Sequence, residues 1–330
     1  KGDFRFNVGA IYNYNRNKLD ELPNADQYLY SSYWGSSSLV PTNDYMFVEG
    51  KAIGLVRGFI SEGYYTVDDF NYTNGQYVLK EGVPDITKAL TATYMHPYDL
   101  PAGQTAFPGA AKFRDVDESG TVDLDDATCL GEVMPRHTGS FQLNFNYKNF
   151  DLSTNFNWTA GGKVYNVAAM INASGQEFDG IGAQRASWVA DAFKVYNVNA
   201  AGDLYAVTNP DELRALNANA KYHLPYHQSG ITSSEWLENG SYLRLQTLTL
   251  GYTLPKNWLT KVHVDKIRLY LTATNLFTIT GYSGIDPEVN ANPTGQSGFY
   301  SDLRIFPTLN MDFGTYPRAR TFTFGANITF

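Results

Sequence analysis

The last ten residues, TFTFGANITF, place Phe322, Phe324, Ala326, Ile328 and Phe330 on one side of an extended chain and Thr321, Thr323, Gly325, Asn327 and Thr329 on the other. Successive side chains of a β-strand point to opposite faces, so this alternation predicts a strand with one apolar and one polar face. The same period of two recurs in FRFNVGAIYNY, with Phe4, Phe6, Val8, Ala10, Tyr12 and Tyr14 in phase, and in FQLNFNY, with Phe141, Leu143, Phe145 and Tyr147 in phase. FDLSTNFNW carries it on through Phe150, Leu152, Phe156 and Trp158. Only Lys148 and Asn149 intervene, which predicts a two-residue hairpin that keeps the apolar side constant. Two further strands are predicted in TLTLGYTL (Leu248, Leu250, Tyr252, Leu254) and IRLYLTATNLFTI (Ile267, Leu269, Leu271, Ala273, Phe277, Ile279). Just upstream of the first, Leu243 and Leu245 fall on the opposite phase, which calls for a bulge near Gln246 or for the strand leaving a bilayer there. The expected strands are 3–16, 138–148, 150–160, 242–254, 266–280 and 320–330.

The connections alternate in length. Short ones lie at Lys148–Asn149 and 255–265, and long ones at 17–137, 161–239 and 281–320. A zigzagging chain then puts every short turn at one end of the sheet and every long loop at the other, as in an outer-membrane barrel with short periplasmic turns and long extracellular loops. A soluble β-sandwich alternates apolar and polar residues too. Composition favours the barrel: aromatics make up 15% of the chain and charged residues only 18%, below the usual quarter, so apolar surface has to be placed somewhere. No stretch approaches the roughly 18 apolar residues of a membrane helix, so strands would do the crossing. Six strands are too few to close a transmembrane barrel, for which about eight is the minimum. Either more strands hide in GKAIGLVRGFISEGYY (51–65), or the rest of the wall precedes Lys1; the opening KGDFRF, with neither initiator Met nor signal peptide, reads as a piece of something longer.

A net charge of −8 without a basic cluster argues against nucleic acid as a partner. The single Cys129 excludes an internal disulfide and a thiolate zinc site, and is expected as a small packed residue. DVDESGTVDLDD has the ligand spacing of a twelve-residue Ca²⁺ loop: Asp115, Asp117, the Ser119 side chain, the Thr121 carbonyl, Asp123 directly or through water, and Asp126, with Gly120 at the sharp turn. The bland alternative is a solvated acidic turn. The flanks do not read as an amphipathic helix pair, and Asp126 stands where a long Glu is usual, so the expectation is a structural Ca²⁺ (or Mg²⁺) clip in an outer loop and not a switch.

QYLYSSYWGSSS gathers Tyr28, Tyr30, Tyr33 and Trp34 in a polar loop, where aromatic faces could stack on sugar rings; packing within the loop or a protein interface is the competing reading. Trp188 and Trp236 are similar with less clustering, and Asn209 before Pro210 predicts a short helix. His223 and His227 have i, i+4 spacing, but Pro225 disfavours the helix that would align them on a metal. Arg318 and Arg320 precede the final strand, to pair with loop acids or lipopolysaccharide phosphates, or simply to lie solvated at the rim. No nucleophile elbow, phosphate loop or Cys–His arrangement appears, so the chain is not expected to be an enzyme.

The succession VEGKAIGLVRGF, PGAAKFRDVDESGTVDLDDATCLGEVMPR, YKNFDLSTNFNW, WLENGSYLRLQTLTLGYTLPK, IRLYLTATNLFTITGYSGIDPEV and GTYPRARTFTFGANITF resembles the C-terminal part of the SusC/RagA group of TonB-dependent outer-membrane transporters. The resemblance runs in order from about Phe47 to Phe330. It implies an all-β fold, the last third of an antiparallel transmembrane β-barrel of about 22 strands with long extracellular loops. It also implies a plug domain and TonB-interacting segment outside this chain, a SusD-like surface lipoprotein as partner, and import of oligosaccharides or peptides across the outer membrane of a Gram-negative bacterium. The terminal strand would sit with its end in the periplasm and carry the assembly signal. The other classes left open are a passive porin or structural outer-membrane protein, and a secreted calcium-stabilised glycan-binding β module.

Overall fold

The computed structural model describes residues 3–23, 25–32, 39–91, 96–174, 186–225, 230–260, 264–289 and 310–330. Its frame is one antiparallel six-stranded sheet in which the strands follow chain order. These are β1 (Phe4–Tyr14), β2 (His137–Tyr147), β3 (Phe150–Ala160), β4 (Tyr242–Thr253), β5 (Lys266–Thr280) and β6 (Thr321–Thr329). The predicted strands are all present, with boundaries moved by a residue or two. Chain neighbours pair because hairpins and simple returns are the shortest way to satisfy every backbone N–H and C=O where no water is available.

The register makes one face almost wholly apolar, with Thr154 set between Leu143 and Leu248 and its hydroxyl turned to the Leu143 carbonyl. Phe6 lies opposite Phe145, which lies opposite Leu152, then Leu250, then Leu271, then Phe324. Rings reinforce the pairing: Phe6 and Phe145 stack with centroids 4.5 Å apart, and so do Phe141 and Phe156. Phe6, Leu250, Leu271 and Phe324 are exposed, so this band faces outward and not into a core. The opposite face carries a polar ladder: Ser153 donates to Asn144 (2.6 Å), Thr249 and Thr272 share a hydrogen bond (2.9 Å), and Arg268 donates twice to Asp151 across β4 (2.9 and 2.5 Å). Eleven-residue strands such as β2 extend about 36 Å, and a tilt near 45° brings that to roughly the 25 Å height of an apolar band.

The phase change in β4 is a bulge. Leu245 and Thr247 oppose adjacent Phe156 and Asn155 of β3, which leaves Gln246 as the extra residue. On β5, Asn275 and Leu276 occupy the gap between Thr274 and Phe277, with Asn275 at φ +50°. Leu243 and Leu245 thereby rejoin the apolar face, opposite Trp158 and Phe156. At the other end, Lys148 (φ +51°) makes the tight turn between β2 and β3, with Tyr147 opposite Phe150. Two glycines lie beneath rings of the next strand: a Cβ at Gly139 would come within 2.7 Å of Trp158, and one at Gly325 within 2.5 Å of Tyr270.

All three long connections leave from the same end of the sheet, and their described residues fold into a body with its own packing. One buried cluster includes Phe59, Tyr65, Tyr77, Phe107, Phe193 and Leu213; a second includes Tyr30, Tyr45, Tyr165, Met170, Trp188 and Trp236. Strands do hide in 51–65, but they belong to this body and not to the wall. Leu55–Gly58 joins a four-stranded sheet with Gln27–Tyr30, Tyr45–Val48 and Thr128–Glu132, and Ser61–Tyr64 pairs with Ala111–Phe113. Cys129, expected to be packed, is exposed on Thr128–Glu132, an edge strand of the four-stranded sheet. The predicted short helix is Pro210–Leu216, capped by the Asn209 side chain, which accepts from Asp211 N and Glu212 N.

The face assignment has a direct test. In the full-length protein, Leu143→Arg should destabilise the barrel by about 2–4 kcal/mol, the cost of a cation on the lipid face near mid-membrane, whereas Asn144→Arg on the polar face should be nearly neutral. Urea unfolding in liposomes measures both, and equal effects would contradict the assignment.

Candidate functional site

The Asp-rich loop is built on strands. Ala111–Phe113 precedes it and Thr128–Glu132 follows it, so it lacks the helix pair that a calcium sensor opens. Thr121–Val122 pairs in parallel with Asp85–Ile86, and the fully buried Val122 anchors the loop in the first core. Gly120 (φ +87°) and Glu118 (φ +60°) take the left-handed conformations that the tight turn requires. The carboxylates of Asp115, Asp117 and Asp126 converge, each with an oxygen within 4.8 Å of the others. Asp115 accepts from Ser119 N (3.1 Å) and Gly120 N (2.7 Å), and Asp117 accepts from Ser119 N (3.0 Å). Hydrogen bonds from Ser119 hold the Asp117 carboxyl below the usual range.

Three of the expected ligands are placed differently. The Ser119 hydroxyl donates to the Thr121 carbonyl (3.0 Å), and Asp123 lies outside the three-carboxylate group and caps Asp125 N (2.8 Å). Asp126 is fully buried and already accepts from Val116 N (2.5 Å), Asp117 N (3.3 Å) and Asp123 N (2.8 Å). The loop therefore has a frame of hydrogen bonds of its own, reinforced from outside where Arg57 donates to the Leu124 carbonyl (3.0 Å).

The aromatic cluster divides. Tyr30 is 4% exposed and packs on Tyr45 and Phe47 in the second core, so it is not a ligand-facing residue; the strand runs from the surface into that core, burying Tyr30 deeper than Tyr28 on the same face. Tyr28, on the same strand, is exposed and stacks against Phe47 at 6.5 Å. Phe47 is the member of this platform that the spacing of QYLYSSYW concealed, since it arrives from the paired strand. Tyr33 and Trp34 lie outside the described residues, as does His227. Trp188 and Trp236 are buried and stack with centroids 5.6 Å apart, with Tyr222 on Trp188 at 4.2 Å.

Buried titratable groups lie around the second core. His223 is 3% exposed and donates from Nδ1 to the Leu224 carbonyl (2.8 Å), which leaves Nε2 facing Glu235 at 3.8 Å. Burial pushes Glu235 up to about 7 and His223 down to about 4. Both partners thus fold uncharged, and their opposed shifts nearly cancel in any pH dependence of stability. Asp44 has no such counterweight: desolvation raises it to about 7, against the hydrogen bonds from Ser32 N (2.7 Å) and Ser32 Oγ (2.5 Å).

With this geometry established, comparison with known proteins places the chain. No protein-family model matches it. TonB-dependent receptor P3 of Formosa agariphila is 28% identical over 329 residues, 99% of this chain and 27% of that protein. TonB-dependent receptor SusC of Bacteroides thetaiotaomicron is 26% identical over 246 residues, 72% of this chain and 19% of that protein. The RagAB peptide importer in its closed-closed state matches in structure with a TM-score of 0.61 at 19% identity, covering all of this chain and 28% of that one. These likenesses are to TonB-dependent receptors of the SusC/RagA type. The chain spans about a quarter of the length of these curated relatives. Its fold is that of the all-β barrel wall with long loops seen in the RagAB importer, the reading that alternation, one-sided loop lengths and composition favoured together.

Asp44 gives the loop body a pH dependence whose sign follows from its burial. Its folded-state pKa lies above the unfolded value of 3.8, so the stability it contributes is full below that value and is lost as pH rises through about 7, on the order of 4 kcal/mol in all. Thermal unfolding of the full-length protein should show the loop body melting earlier at pH 8 than at pH 5, and Asp44→Asn should remove that slope.

Proposed function

We propose that this chain forms part of the wall and outer loops of an outer-membrane importer of oligosaccharides or peptides. Loops would face outward and short turns the periplasm. A SusD-like surface lipoprotein would work with the loop body, and a TonB complex would supply energy through parts of the protein beyond this chain. The observation that carries the reading is the apolar band running across six paired strands with a polar ladder behind it, an arrangement suited to lipid on one side and water on the other. Loop surfaces such as the exposed Tyr28 beside Phe47 would meet cargo or the lipoprotein. Deleting the full-length gene should abolish growth on the cognate glycan or peptide mixture, and loss of TonB should do the same. Uptake that persists without TonB would instead indicate a passive pore.

Calcium, or magnesium, is part of the same reading. Asp115, Asp117 and Asp126 converge as a divalent site requires, and millimolar extracellular Ca²⁺ would fill even a modest one. Because the loop packs through Val122 and is capped by Asp126, the ion would add stiffness to a fold that already holds. Asp115→Ala with Asp117→Ala should remove the bound metal, lower the melting temperature of the loop body by a few degrees and reduce uptake. Unchanged metal content and melting would refute the site.

A further inference from the structure

The polar face of the wall carries one side chain that differs in kind from the others. Arg244, two residues into β4, is 2% exposed, although it stands in the row of Asn157 and Thr278 that faces away from the apolar band. Its guanidinium donates to Thr278 Oγ1 (3.1 Å) and to Asp286 Oδ1 (2.5 Å), and Nη1 lies 3.2 Å from Glu288 Oε2. Glu288 in turn accepts from Arg318 (2.5 Å), and Tyr242 lies beside the Arg244 guanidinium at 5.4 Å. Arg244 is covered because segment 281–289, which continues from the end of β5, folds back across the polar face.

Other fastenings hold the same segment. Ser283 donates from its backbone N and its hydroxyl to Glu238 (2.7 Å each), Tyr282 donates to Asp312 (2.6 Å), and Tyr282 and Val289 bury against Val164. All of these partners belong to the loop body or its junction; among the described residues, Arg244 alone ties the segment to a long wall strand by charge. The cluster is neutral as a whole, two arginines against two carboxylates, and nearly dry at its centre. Such a pair adds little net stability over well-packed apolar residues, yet breaking it from one side leaves a buried charge uncompensated. A device of this kind fixes position more than it raises stability. The Arg244 Nη1 atom faces Glu288 as an ion pair whose angle does not make a hydrogen bond.

We propose that Arg244 is a positioning residue that clasps 281–289 as a strap against the inner wall at the loop end of the barrel, setting the width of the mouth there. The strap lies on the water-lined side because its partners occupy the polar row. This placement rests on the importer reading only in naming that side the lumen, and the test below does not depend on transport.

Hydrogen–deuterium exchange on the full-length protein in nanodiscs reads the strap directly. Arg244→Met should speed exchange of the amides in 281–289 by at least about tenfold while β4 and β5 amides keep their protection. Arg244→Lys, which retains the charge but not the fork, should fall between. Should Arg244→Met fail to assemble, Asp286→Asn and Glu288→Gln act from the strap side and are expected to give several-fold increases confined to the same peptides. Unchanged exchange in the strap, or an equal loss of protection in β4 and β5, would overturn the proposal, the second by showing a merely structural arginine. Loss of strap protection in a protein that imports nothing would leave the clasp standing and count only against the importer reading.

Discussion

Hydrocarbon offers a backbone no hydrogen-bond partner, and each unpaired N–H or C=O left there costs several kcal/mol. That constraint generates the frame of this chain. It forces extended segments into an antiparallel ladder with their chain neighbours, and the ladder fixes which side chains share a face. Once the faces are fixed, the rest follows: Phe, Leu and Tyr toward lipid, Asn, Ser, Thr and the Asp151–Arg268 pair toward water. Where a strand carries an odd residue, as β4 does at Gln246, the ladder takes up the extra residue and does not turn apolar groups inward.

Beyond the ladder the same accounting is met by other means. The long connections cannot use one large sheet, so side-chain oxygens cap backbone groups at their turns. Asp85 accepts from Ile86, Thr105 and Ala106 N, Gln104 bridges Leu79, Tyr77 and Ala106, and Asp126 gathers three amides. Many of the carboxylates that look available for chemistry in the sequence are thus occupied with holding turns. Asp44 is different, being buried and raised to about 7 by desolvation, and it makes the loop body more sensitive to pH than its exposed ion pairs would.

The wall was legible in the sequence because period-two patterning is local: each strand announces its own faces, and even the Gln246 bulge left a phase error that could be read. The loop body was not, because its contacts are distant in sequence. Phe59 shares one core with Phe193 and Phe107, and Phe47 reaches Tyr28 only through strand pairing. The aromatic enrichment was assigned to the membrane, yet Tyr45, Tyr65, Tyr77 and Tyr165 are fully buried in the loops. The Asp loop stood out through its spacing, but spacing could not foresee that Asp126 would turn its oxygens to the backbone or that Asp123 would stand aside. Nothing in the linear pattern distinguished Arg244 from any other polar-row residue, since its burial is created by a segment some forty positions later.

The bulge at Gln246 also acts on the wall as a frame correction does on a message. Below it, the apolar-face positions of β4 are even-numbered (Leu248, Leu250, Tyr252); above it they are odd-numbered (Leu243, Leu245). A single-residue insertion or deletion elsewhere in a wall strand would invert every facing beyond it, and only another bulge could restore the sense. Changes in strand length are therefore quantised, tolerated in twos or at a bulge that can absorb one. The loops, held by packing and caps, carry no such parity rule and are free to lengthen by any count.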